Sequence, residues 1–258
     1  MMKPPTESPG FTADSMTEDW SKIWYIESVE EDEKHATSWK SYAEKAKDSI
    51  PRSPMTEDWL PSYEEFLDKA QGATGGAGFD GWSSAEIKLL ARQFPWLIYE
   101  LYSLWVDTAD ALATTGIPNE LRDILMHWRV VGIPKKDGSS RPICVGNVIT
   151  RLWLSACEPA LPAPEEEGCQ YACRRGCSVV QACAEWLQAC DGAEAGMERD
   201  LSKCFDKVCH AVAREGLIFA KTPSRVIATE QAAWTAPRSR QVAGEVATKP
   251  IMPTRGVP

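Results

Sequence analysis

Three features of the sequence predict an α+β fold. Up to about residue 128, apolar residues recur at helical spacing in segments divided by Gly and Pro. From Val130 to Trp153, apolar runs flank a Lys-Asp-Gly-Ser tip, which is a hairpin signal. Beyond it, residues 195–199 and 222–250 read as strands, the latter with turns at Pro237-Arg238-Ser239 and Gly244.

At 258 residues the chain is long enough for one large domain or two small ones. No apolar run approaches a membrane span, and the most apolar stretch, Phe94–Val106, carries Glu100, so no membrane partner is expected. The N-terminal MMKPPTESPG lacks the apolar centre of a secretory signal. Nine cysteines, none before Cys144, argue against a disulfide framework and for a reducing intracellular compartment, with nucleus and cytoplasm not distinguished. Cys169, Cys173 and Cys177 recur without a C-x2-C pair, and Cys204-x4-Cys209-His210 is equally weak, so zinc is not expected. The net charge of −9 is unevenly spread. Residues 1–79 carry −8 and 80–120 carry −4, whereas 121–258 carry +3, which permits nucleic acid as a partner of the C-terminal part.

Residues 1–15 are rich in Pro, Ser and Thr and are expected to be disordered. MTEDW occurs twice, at Met16–Trp20 and Met55–Trp59, with Thr17 and Thr56 as expected N-caps. Helices are expected near 17–28, 36–48 and 59–71. Residues 1–71 thus form an acidic, partly disordered helical extension. The stretch from Gly72 to Gly81 contains G-x-G-x-x-G but follows a helical segment rather than a strand, which excludes a dinucleotide fingerprint. It reads as a flexible Gly-rich joint over 72–82. Ser83-x-x-Glu86 is a capping box. The helix it starts carries a buried stripe of Ile87, Leu89, Leu90, Phe94, Leu97 and Ile98, with Pro95 expected to bend or split it. A second helix, about 100–114, ends near Gly116, and a short one follows from Ile117-Pro118 to Trp128.

In the hairpin, a two-residue Asp137-Gly138 loop would pair Pro134 with Arg141 and leave Lys135 on the opposite face. A three-residue loop over 137–139 would pair Lys135 with Arg141 on one face, an arrangement suited to a triphosphate. Residues 157–168 are a Pro- and Glu-rich loop, Ser178 caps a helix over 179–190, and 208–219 is a further helix. Asp200, at the end of the short strand 195–199, stands where a carboxylate commonly holds a divalent metal.

These segments resemble, in order, the motifs of reverse transcriptases of the non-LTR retrotransposon and group II intron type. Gly78-Phe79-Asp80-Gly81-Trp82 resembles the start of the fingers. The stretch from Ile133 to Ile143, followed by Asn147, Arg151 and Leu152, resembles the fingers hairpin and the helix after it. Tyr171 to Ser178 resembles the template-contacting segment, with Ala172-Cys173 and Cys177 as departures. Glu198 to Val208 resembles motif A, and Arg255-Gly256-Val257-Pro258 the start of motif B, while motif C with its paired aspartates is not reached. The resemblance covers about residues 76–258. It implies polymerase fingers and a partial palm over 83–258, truncated within motif B.

The resemblance further implies Asp200 as the catalytic residue, and Asp200 with the Leu201 carbonyl as ligands of Mg²⁺ or Mn²⁺. It implies Lys135, Arg141 and Phe205 as the nucleotide-binding residues. Arg174 and Arg175 would contact template. The implied partners are an RNA template, a DNA primer and deoxynucleoside triphosphates. Two further readings stand beside the polymerase: a non-catalytic remnant that binds nucleic acid or protein, and a maturase-like splicing factor. Oligomeric state is not legible in the sequence.

Overall fold

The computed structural model describes residues 20–22, 24, 29–45, 51–134, 140–162, 208–242, 245–247 and 249–254. The fold is α+β. Its helices are α1 (Val29–Lys45), α2 (Tyr63–Gln71), α3 (Ser84–Gln93), α4 (Pro95–Thr114), α5 (Asn119–Met126), α6 (Val148–Cys157), α7 (His210–Phe219) and α8 (Ser224–Thr235). The strands are β1 (Trp128–Pro134), β2 (Ser140–Val145), β3 (Arg238–Val242) and β4 (Glu245–Val246). They form one sheet in the order β2-β1-β3-β4, with β1 antiparallel to β2 and parallel to β3.

Local chemistry sets several helix ends. Ser83 and Glu86 form the expected capping box at α3, and Ser62 and Glu65 form a second one at α2. The helix expected from residue 59 therefore begins at Tyr63, after Pro61, and Thr56 is not its cap. The apolar stripe expected as one bent helix is split: α3 ends at Gln93, and Pro95 opens α4, where its missing N–H costs nothing. Gly116, at φ 76°, closes α4 where expected.

The core lies between α2, α4, α6 and α8. Trp105 of α4 stacks on Trp153 of α6 with centroids 5.7 Å apart and planes at 15°, and Phe66 of α2 lies 6.2 Å from Trp153. All three are essentially fully buried, each contributing about 1.5–3 kcal/mol by leaving water. This corrects one expectation. Helix α2, expected as part of an N-terminal extension, belongs to the main fold, because Phe66 and Ala70 sit in the same core as the rest of the chain.

A second correction concerns residues 222–250. The sequence predicts strands here, yet α8 occupies 224–235. Val226, Thr229 and Ala233 recur at helical spacing and are buried, and small Ala232 and Ala233 allow close approach. The Thr229 hydroxyl donates back to the Arg225 carbonyl. The segment expected to turn at Pro237-Arg238-Ser239 instead runs into β3. Gly244 lies outside the described residues, between the paired Val242 and Glu245.

The second MTEDW copy anchors α8. Glu57 Oε1 accepts the Ser224 N–H at 3.1 Å, and the Asp58 carbonyl accepts from Arg225 Nη1 at 3.1 Å. Arg225 also pairs with Asp110 of α4. Trp59 packs against the main core. Trp20, which ends the first copy, sits in a separate small cluster with Trp24, Val130 and Ile251. Among the described residues, no helix is long and apolar enough to cross a membrane.

Candidate functional site

The hairpin β1–β2 pairs Ile133 with Arg141 and Pro134 with Ser140. This register differs from both loop lengths considered from the sequence. Partners in an antiparallel pair share a face, and alternate residues follow them. One face therefore carries Arg129, Val131, Ile133, Arg141, Ile143 and Val145. The other carries Val130, which is fully buried, and Cys144. On the first face Arg141 is exposed, Ile133 is 51 % exposed and Ile143 37 %. The face is thus open, apolar at its centre and cationic at Arg141. Lys135 lies outside the described residues.

Behind the hairpin, the glycine-rich stretch is clasped to the start of α6. Asn147 is the hub. Its Nδ2 donates to the carbonyls of Ile124 (2.9 Å) and Leu125 (3.0 Å), and its Oδ1 accepts the Asp80 N–H at 3.2 Å. Asp80 Oδ2 accepts the Val148 N–H at 2.8 Å, placing a carboxylate at the N-terminus of α6. Arg151, one turn further, donates from Nη1 to Thr74 O at 3.1 Å and from Nη2 to Gly76 O at 2.7 Å. A Cβ on Gly78 would fall 2.6 Å from Asn147 Cα, so the close approach requires glycine. Residues 72–82, expected to be a flexible joint, are in this respect a bonded element of the fold.

Burial sets the electrostatics here. It pushes the Asp80 carboxyl upward, against the Val148, Trp82 and Gly78 amides and the nearby Arg151 guanidinium. It lowers the Arg151 pKa, with Asp80 acting the other way. Beside the clasp, His127 shares a 2.9 Å hydrogen bond with Ser239 Oγ and rests against Phe79 with ring centroids 4.7 Å apart. Burial lowers its pKa, while Asp123 opposes the shift. At this edge Arg129 Nη1 donates to Gln241 Oε1 at 3.4 Å.

Of the candidate catalytic, metal-, nucleotide- and template-binding residues and the motif B start, the described part contains Arg141 alone. Asp200, Leu201, Phe205, Lys135, Arg174, Arg175, Arg255 and Gly256 lie outside it. Among the described residues no group of three or more His, Cys, Asp or Glu side chains is placed to hold a metal. Sequence reading did not single out the bonding roles of Asp80, Asn147 and Arg151. Their motif positions were the available signal, but the partners lie 67 to 77 residues away. It also gave no weight to Arg238 and Arg240, which β3 buries at 0 % and 5 % exposure. No family model matches the chain, and no curated protein is significantly similar to it.

Proposed function

We propose that this chain is the fingers and partial palm of an RNA-directed DNA polymerase of the non-LTR retrotransposon type, adding deoxynucleotides opposite an RNA template. One observation carries the reading. The two motifs that resemble the fingers, Gly78–Trp82 and Asn147–Leu152, bond directly to each other through Asp80 and Asn147. They brace a hairpin whose open face ends in Arg141.

In this reading Arg141 holds the triphosphate, its planar fork matching phosphate oxygens. A strand continued by one more residue pair in the observed register would bring Lys135 onto the face of Arg141. Ile133 and Ile143 offer apolar surface beside it. Phe205 excludes a ribose 2′-hydroxyl, and Arg174 and Arg175 touch the template backbone. The Asp200 carboxylate and the Leu201 carbonyl are hard oxygen donors of the kind Mg²⁺ takes. Bound there, the metal supplies charge neutralisation at the reacting phosphate. The remaining work is positioning, because phosphoryl-type transfer asks little covalent chemistry of the protein.

The test is primer extension on an RNA template with a chain extended through a motif C segment. Asp200→Asn abolishes incorporation while the melting temperature holds or rises, since a nearly isosteric amide relieves carboxylate repulsion. Arg141→Ala raises the KM for deoxynucleotide by about tenfold or more, the loss of one charge-assisted pair. Near-normal incorporation by Asp200→Asn overturns the assignment.

A further inference from the structure

We propose that a triangle of tyrosines between α2 and α4, with Trp96 beside it, is a docking face for a proline-rich segment of a partner protein that carries a basic residue next to its prolines. Tyr63, Tyr99 and Tyr102 contact one another, with ring centroids 5.2, 5.9 and 6.2 Å apart and planes inclined by 43° to 76°. Trp96 and Tyr99 stand at i and i+3 on α4, neighbours on one helix face, and are 62 % and 50 % exposed. Rings set at such angles leave clefts between them, the kind of surface on which polyproline segments dock. Two of the three tyrosines already bond to proline. The Tyr63 hydroxyl donates to the Pro95 carbonyl at 2.9 Å, and the Tyr102 hydroxyl to the Pro61 carbonyl at 3.0 Å. Tyr99 is the most exposed of the three, and no described residue accepts from its hydroxyl. A polyproline segment has no internal hydrogen bonds, so its carbonyls are free to accept from that hydroxyl.

Charge selects the flank of the ligand. Helix α4 carries Glu100, Asp107 and Asp110 and no Lys or Arg. Of these, Asp110 is paired with Arg225, while Glu100 is exposed and lies one turn from Trp96, at i+4. The exposed Glu64 and Glu65 follow Tyr63 in the first turn of α2. Burial raises the Tyr102 pKa, and Tyr99, Glu64 and Glu65 raise it further, so the field at the triangle is negative. A lysine or arginine beside the prolines finds its counter-charge there, whereas an anionic strand is repelled. A preformed polyproline helix also loses little freedom on docking, which suits a patch of four rings.

The proposal is independent of the polymerase reading and is tested on the 258-residue chain itself. Anisotropy is measured with a labelled oligoproline peptide ending in two arginines, its counterpart ending in two glutamates, and a Gly-Ser peptide ending in two arginines. The first binds with a Kd below about 1 mM and about tenfold or more tighter than either control. Tyr99→Phe weakens it about fivefold, the loss of one hydrogen bond, and Trp96→Ala about tenfold. Both changes are at exposed positions and leave the melting temperature in place. Glu64→Gln/Glu100→Gln narrows the preference for the arginine ending over the glutamate ending. Equal binding of the proline and Gly-Ser peptides overturns the proposal on the unaltered chain alone, as does no binding of either. Binding that survives both Tyr99→Phe and Trp96→Ala places the peptide elsewhere and overturns it too. Self-association of the chain that Trp96→Ala abolishes assigns the face to a second copy and overturns the partner.

Discussion

Gly76 and Gly78 stand two residues apart, yet an added methyl group meets different surroundings at each. At Gly78 it falls 2.6 Å from Asn147 Cα, which is backbone and cannot swing away. At Gly76 the nearest atom is the end of the Arg129 side chain, at 3.5 Å. Gly78→Ala is therefore expected to cost about 1–3 kcal/mol, as overpacking does, and Gly76→Ala to stay within about 0.5 kcal/mol. Urea melts of the two variants decide whether the stretch is clasped, because in a flexible joint they would match. Glu230 provides a second single-residue test. Burial raises its pKa to about 6, against the hydrogen bond it accepts from Trp234 Nε1 at 3.1 Å. The unfolded chain titrates near 4.5, so between 4.5 and about 6 the folded state binds more protons. Stability is lost as pH rises through that window and stays lost above it, by roughly 2 kcal/mol at ~1.4 kcal/mol per pKa unit. Glu230→Gln keeps an acceptor for Trp234 and removes the charge. It is expected to be more stable than the unaltered chain at pH 7.5 and indistinguishable from it at pH 4, as read from urea melts at both values.

At the scale of elements, legibility divides by how far a signal reaches along the chain. The Ser83–Glu86 box, the break at Pro95 and the end of α4 at Gly116 are local chemistry, and each stands where the sequence placed it. Helix α8 was not legible. Its stripe becomes a stripe only against α4, and its first N–H is capped by Glu57, 167 residues away. The hairpin lies between these cases. Its existence followed from the sequence, but its register did not, because each assumed loop length imposed a different pairing. The clasp behind it joins two motifs that read separately as a joint and a helix start. The proposed catalytic carboxylate, Asp200, rests on the sequence reading, since it lies outside the described residues. The remote cap of α8 makes its own prediction. Glu57→Ala is expected to cost about 0.5–2 kcal/mol, the ordinary range for a lost N-cap, and Glu57→Gln less, because the amide oxygen still accepts. Equal melting of both variants and the unaltered chain would show that Ser224 does not depend on Glu57.

At the scale of the molecule, the question is where the independently folding unit begins. Sequence composition put the boundary at the glycines of 72–82, with everything earlier an extension. Packing puts it earlier. Helix α1 touches the rest through α7, by the Lys40–Glu215 pair at 3.2 Å and the edge-on contact of Trp39 with Phe219 at 5.9 Å. Both lie toward the surface, and an exposed ion pair is worth about 0–1 kcal/mol. Helix α2 instead contributes Phe66, in ring contact with Tyr102 and Trp153, and Ala70, both at 0 % exposure. Removing α2 deletes part of one wall of the core. A single buried Phe reduced to Ala costs about 3–5 kcal/mol, comparable with the whole stability of many domains. A chain starting at residue 51 is therefore expected to melt in one cooperative transition, a few degrees below the full chain. A chain starting at residue 83 is expected to show no cooperative melt. Calorimetry of the two deletions separates the alternatives: if the shorter chain melts as sharply as the longer one, the fold begins at the glycines and Phe66 only decorates it.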